Sequence, residues 1–125
     1  MSCACGSGSN YSECCQSLHD GAAADTAEAL MRSRFSAFVR GLDAYLLASW
    51  HPETRPPELE LGDGVVWRRL QIVDTVGGGE DDATGIVEFR ASFREADGVA
   101  GLVHERSRFA RVDGRWVYVD GEILT

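Results

Sequence analysis

Apolar residues recur along this chain with two different periods. Leu30, Met31, Phe35, Phe38, Val39 and Leu42 follow one another at helical spacing and make a single stripe. Asp25 stands where an N-cap belongs, Glu28 follows at capping-box spacing, and Gly41 ends the helix. Asp43 caps a second, shorter helix carrying Tyr45, Leu46, Leu47 and Trp50. Pro52, Pro56 and Pro57 stop helical structure and open a connecting loop. Beyond the prolines the period falls to two. Residues 65–76 are rich in β-branched and aromatic types. Over 86–95, Val87, Phe89, Ala91 and Phe93 take one face, and Glu88, Arg90, Ser92 and Arg94 the other. A solvated turn, Gly77-Gly78-Gly79-Glu80-Asp81-Asp82, joins these two strands. Asp97-Gly98 and Asp113-Gly114 are hairpin signals that set off further strands at 99–112 and 115–123. Helices first and four antiparallel strands after predict an α+β domain. One sheet face packs on the helices and the other meets water or a partner.

A length of 125 residues suits one such domain with a small appendage. The division expected is an N-terminal knuckle over 1–20 and the α+β domain over 21–125, with 18–25 as a Gly- and Ala-rich linker. No apolar run reaches eighteen residues, so no membrane span is expected. The N-terminus lacks a basic stretch followed by an apolar one, which points to a cytoplasmic protein. A formal net charge of -8 disfavours nucleic acid as a partner, because phosphate binding rests on basic surface. Charge of this size mostly keeps a small protein soluble and monomeric, and a monomer or homodimer is expected.

All 4 cysteines lie in the first fifteen residues, as two close pairs, Cys3/Cys5 and Cys14/Cys15, separated by a Gly-rich turn. A disulfide framework would spread its bridges to close long loops. Neighbours in sequence such as Cys14 and Cys15 meet bridge geometry poorly. Four convergent thiolates are what tetrahedral zinc requires, so Zn2+ held by Cys3, Cys5, Cys14 and Cys15 is the leading reading. Cross-paired disulfides, a redox pair or another metal are the alternatives, as is His19 in place of Cys15. Gly6 and Gly8 allow a sharp bend that aims amides at the thiolates, and Tyr11 covers one side of the metal. Four protein thiolates leave no open coordination position, so the zinc is structural and orders a segment too small for its own core.

Cys-x-Cys-Gly-Ser-Gly, a Tyr and a Cys-Cys pair resemble the SEC-C zinc motif, which also occurs at the tail of the SecA translocation ATPase. The chain departs from that version at Ser9 and Asn10, and in ending Cys-Cys rather than Cys-His. A second resemblance spans nearly the whole chain. Residues 26–38 (Thr-Ala-Glu-Ala-Leu-Met-Arg-Ser-Arg-Phe-Ser-Ala-Phe), Tyr45-Leu46-Leu47, Trp50-His51-Pro52 and His104-Glu105-Arg106-Ser107-Arg108-Phe109 resemble the YchJ family of uncharacterised bacterial proteins. The resemblance implies a fold similar to nuclear transport factor 2 (NTF2), in which a curved antiparallel sheet wraps helices into a cone. It implies no activity.

Such a cone leaves a pocket between sheet and helices. Strand parity puts Glu105 and Ser107 on the inward face with Val103 and Phe109, and Trp116, Tyr118 and Asp120 together on a shared face. Tyr45, Trp50 and His51 come from the second helix and its exit. The pocket candidates are therefore Tyr45, Trp50, Glu105, Ser107, Tyr118 and Asp120. His104 falls on the outer face with Arg106 and Arg108. There Arg90, Arg94, Arg106 and Arg108 either gather to meet an acidic partner or pair with Glu88 across strands. His51, just before Pro52, reads as a loop-capping residue. Two functions fit. The first is an interaction or small-ligand-binding module, with a protein partner at the knuckle and a ligand in the cone. The second is a small isomerase-, dehydratase- or hydrolase-like enzyme in which Glu105 or Asp120 is the base and Tyr45 or Tyr118 the oxyanion donor.

Overall fold

Thr26, one residue beyond the expected Asp25, caps the long helix. Its backbone is extended and its Oγ1 accepts the Ala29 N–H at 3.0 Å. The helix, α2, runs Ala27–Arg40 and ends at Gly41, whose φ of 71° permits the left-handed cap. In this computed structural model, which describes residues 3–58 and 64–124, a 3-10 turn at Tyr11–Glu13 and a short helix α1, Cys15–His19, precede it. So α1 occupies the start of the expected linker. Helix α3, Asp43–Ala48, starts at Asp43 rather than being capped by it; Leu42 is the N-cap. Trp50 lies beyond the end of α3.

Four strands follow: β1 Val66–Gly77, β2 Thr84–Arg94, β3 Ala100–Val112 and β4 Arg115–Ile123. They form an antiparallel meander in the order β1-β2-β3-β4. Its curvature comes from bulges. Trp67 pairs with Phe93 but Arg69 with Ser92, and Ile72 pairs with Phe89 but Asp74 with Glu88, so Arg68 and Val73 are extra residues in β1. In β4, Tyr118 opposes Phe109 whereas Asp120 opposes Arg108, which makes Val119 extra.

The concave face packs on α2. Leu30, Met31 and Phe35 meet Leu70, Val87, Phe89, Ala91, Phe109 and Trp116 in one buried cluster. Phe109, at 1% exposure, is the largest fully buried side chain among the described residues. Burying Phe and Leu side chains of this kind contributes roughly 1.5–3 kcal/mol each. The helix stripe narrows towards its end, since Val39 is 41% exposed. The first turn of α2 docks on the β1–β2 turn, where Ala27 N–H donates to Gly78 O at 2.9 Å. A Cβ on Gly78 would lie 2.8 Å from that of Ala27, so only glycine allows this approach. The expected α+β cone is the fold observed. Among the described residues no helix is long and apolar enough to cross a membrane.

Candidate functional site

The N-terminal cysteines converge. Gly6 and Gly8 take φ values of 83° and 86°, and Cys3 N–H donates to Ser9 O at 2.7 Å, which folds the segment back on itself. The Sγ atoms of Cys3, Cys5, Cys14 and Cys15 all lie within 4.8 Å of one another, with 3.5 Å between Cys5 and Cys14 and 3.8 Å between Cys14 and Cys15. A tetrahedral ion with metal–sulfur bonds of about 2.3 Å has sulfur–sulfur edges of about 3.8 Å, so this spacing fits the donor set. The four cysteines are free thiols in this arrangement.

The four thiols share their protons unequally. A hydrogen bond from Cys15 holds the Cys5 thiol down to about 4, and the same bond, with burial, pushes Cys15 well up. Burial pushes Cys14 up as well. Four sulfurs this close do not ionise together without a compensating charge. The bend at Gly6 and Gly8 aims the Ser7 amide at a thiolate: its backbone and hydroxyl both reach Cys5, and its Oγ lies 3.1 Å from Cys14 Sγ. The Gly6 N–H instead donates to Cys3 O. Tyr11 packs against the cluster as expected, and the Arg40 guanidinium sits 3.5 Å above its ring.

His19 lies outside the sulfur cluster and does not replace Cys15. Its Nδ1 is 2.7 Å from Tyr11 Oη and its Nε2 is 2.8 Å from Ser33 O on α2. Its ring meets the Tyr45 ring edge-on at 4.7 Å. Burial holds the imidazole below its usual value. With Arg32 Nη1 donating to Cys5 O at 2.8 Å, His19 joins the cysteine segment to the long helix.

A second feature lies in the cone, a cavity of about 290 Å³. Trp50, Glu105, Ser107 and Tyr118, four of the six predicted pocket residues, line it. Their convergence follows from the chain leaving α3, where His51 N–H donates to Tyr118 O at 2.7 Å and Tyr118 N–H to Ser49 O at 2.8 Å. That pairing brings the Trp50 and Tyr118 rings together edge-on at 5.1 Å. Glu105 Oε2 accepts from Ser107 Oγ at 2.5 Å and from Tyr118 Oη at 3.4 Å. Gly121, opposite Ser107, leaves room for this carboxylate, because a Cβ there would collide with it. Burial, with the Glu105 charge beside it, pushes the Tyr118 phenol up to about 12, so it stays a donor at neutral pH.

Two predicted residues fall elsewhere. Asp120 points away from the cone and pairs with Arg108 on the convex face, because the Val119 bulge reverses the alternation after Tyr118. Tyr45 lines a different groove, beside Leu18, His19 and Trp116, and its Oη lies 2.6 Å from Ser33 Oγ. His104 is on the convex face as expected, bonded to Glu88 at 2.8 Å, and Arg106 reaches the same carboxylate at 2.7 Å. Both partners lower the Glu88 carboxyl. His51 Nδ1 accepts the Glu53 N–H at 3.1 Å, a loop-capping contact.

Arg34, absent from the predicted set, also lines the cavity. It is 3% exposed, and its Nη1 donates to Leu46 O at 2.8 Å and to Ser49 Oγ at 2.6 Å. Its position four residues after Leu30 and four before Phe38 put it on the apolar helix stripe, which was the available signal.

Comparison with known proteins agrees with this architecture. The family model for the middle, NTF2-like domain of YchJ matches residues 26–121. A UPF0225 protein of Streptomyces coelicolor is 55% identical over 123 residues, covering 98% of this chain and 95% of the relative. One from Corynebacterium glutamicum is 50% identical over 122 residues, covering 97% and 96%. The solution structure of a SEC-C motif containing protein from Rhodopseudomonas palustris superposes with a TM-score of 0.86 at 32% identity, over 100% of both chains. The crystal structure of a SEC-C motif containing protein from Psychrobacter arcticus gives 0.77 at 28% identity, over 98% of this chain and 82% of the other. The chain belongs to the YchJ-like UPF0225 family, an NTF2-like domain with an N-terminal cysteine cluster.

Proposed function

We propose that the four cysteines hold a structural Zn2+ and that the protein is a binding module, with the metal-ordered segment as a docking surface for a protein partner and the cone as a receptor for a small ligand. The observation that carries the metal reading is the sulfur geometry: four thiols within 4.8 Å of one another at edges that suit a tetrahedral ion. Thiolate ligands favour zinc over harder divalent ions. A full set of protein ligands leaves no position for substrate water, so the metal stiffens rather than catalyses. His19 and Arg32 then fix the ordered segment on α2, so any partner meets a surface of defined shape.

The test is metal content of protein purified without chelator, with free thiols counted before and after metal removal. About one zinc per chain, and four thiols that react only after removal, is the expected result. A metal-free protein with fewer than four thiols on denaturation means oxidised cysteines, and the redox reading then takes over.

For the cone, binding is favoured over catalysis. Glu105 Oε2 already accepts two hydroxyl hydrogens, from Ser107 and Tyr118, which suits a carboxylate held in position for recognition.

A further inference from the structure

The cone cavity holds one buried cation and one carboxylate in otherwise apolar walls. Arg34 is 3% exposed, yet no carboxylate among the described residues lies within 4.0 Å of it. Both of its hydrogen bonds leave from Nη1, so Nε and Nη2 have no protein acceptor among the described residues. The guanidinium rests instead on ring faces, 5.1 Å from the Trp50 centroid and 4.7 Å from that of Tyr118. Burial lowers Arg34 only to about 10, so it is charged at neutral pH. On the sheet side, Glu105 is held through Oε2 by Ser107 and Tyr118. Phe35, Phe38, Trp67, Phe89 and Val103 are among the residues that make up the rest of the lining.

Charge balance selects the occupant. An anionic ligand satisfies Arg34 but adds a second carboxylate beside Glu105 in a poorly hydrated space, where like charges repel strongly. A cationic ligand has the reverse conflict with Arg34. An uncharged ligand avoids both, and an acceptor atom on it rewards the idle guanidinium hydrogens. Aromatic walls favour a flat body. A volume of about 290 Å³ sits at the low end of small-ligand sites, which start at roughly 300 Å³.

We infer that the cavity takes a small, flat, uncharged molecule that offers an acceptor to Arg34 and a donor to Glu105 from an apolar ring, an aromatic carboxamide or lactam being the class. This rests on the reading of the cone as a ligand receptor.

The experiment titrates the full chain, purified without chelator, against benzamide, benzoate, benzamidine and toluene, following the three indole N–H signals by two-dimensional NMR. Trp50 and Trp67 line the cavity, whereas Trp116 does not and serves as the internal control. Benzamide is expected to shift Trp50 and Trp67 but not Trp116, and to bind about fivefold or more tighter than each of the other probes, roughly one hydrogen bond's worth. Glu105→Gln, which keeps the shape and removes the charge, is expected to bring benzoate level with benzamide. Benzoate binding tighter than benzamide to the unaltered protein overturns the uncharged class while leaving the receptor reading intact. Toluene equal to benzamide overturns the roles of Arg34 and Glu105. No shift of Trp50 or Trp67 with any probe overturns the receptor reading itself.

Discussion

Replacing His19 with alanine separates two accounts of how the cysteine segment is organised. If His19 is the clamp between that segment and α2, its loss weakens the fold and spares the metal site. The short hydrogen bonds to Tyr11 Oη and Ser33 O go, at about 0.5–1.5 kcal/mol each, together with a longer contact from Nε2 to Ser36 Oγ at 3.3 Å. The edge-on contact with Tyr45 adds about 0.5–1.5 kcal/mol. Ser33 O keeps a second donor, Ser36 Oγ at 3.1 Å, and the imidazole is only partly buried, so the net loss belongs near the lower end, about 2 kcal/mol. An unfolding entropy near 2.1 cal/mol/K per residue gives ~0.26 kcal/mol/K for 125 residues, so Tm falls by about 8 °C. Thermal unfolding and native mass spectrometry on one preparation read both quantities. The clamp predicts the drop in Tm with metal stoichiometry unchanged. Loss of metal with the histidine refutes it, because His19 would then be a ligand. An unchanged Tm refutes it from the other side.

His19→Gln loses the titrating group. The imidazole is held neutral in the fold but protonates in the unfolded chain below about pH 6.5, so wild-type stability is retained above that pH and declines as pH falls through it. The gap in Tm between wild type and His19→Gln therefore narrows on acidification, which a pH series of melting curves checks. Cys14→Ser is expected to abolish amide protection in the first twenty residues while the sheet stays protected in hydrogen exchange; loss of protection throughout the sheet contradicts this. Asp120→Asn, on the convex face, should leave both Tm and cavity binding nearly unchanged, because its partner Arg108 is 65% exposed. Phe109→Ala, in the buried core, should cost about 3–5 kcal/mol in denaturant unfolding.

Much of this was legible because it depends on local chemistry. Asp97-Gly98 and Asp113-Gly114 place hairpins wherever they occur, and two cysteine pairs across a Gly-rich turn have few other uses. Strand parity brings Glu105, Ser107 and Tyr118 together, and the second helix and its exit supply Trp50. Asp120 was misplaced by the same parity, since one extra residue, Val119, turns the strand over. Nothing local announces that bulge. It is held from a distance, by Thr54 Oγ1 donating to Val119 O at 2.7 Å. Tyr45 failed for another reason: a six-residue helix has several faces, and only the groove beside His19 decides which one Tyr45 takes. Thr26 rather than Asp25 as the cap is a one-residue matter of backbone angle. Arg34 went unseen because a charged residue on an apolar stripe reads as a residue that reaches to the surface.

The claim on which the rest depends is a four-thiolate zinc site, and zinc K-edge absorption on protein purified without chelator tests it most directly. Four sulfurs at about 2.3 Å with no lighter ligand is the predicted first shell. A shell containing nitrogen or oxygen at about 2.0 Å contradicts it, because a cysteine would then be missing from the site.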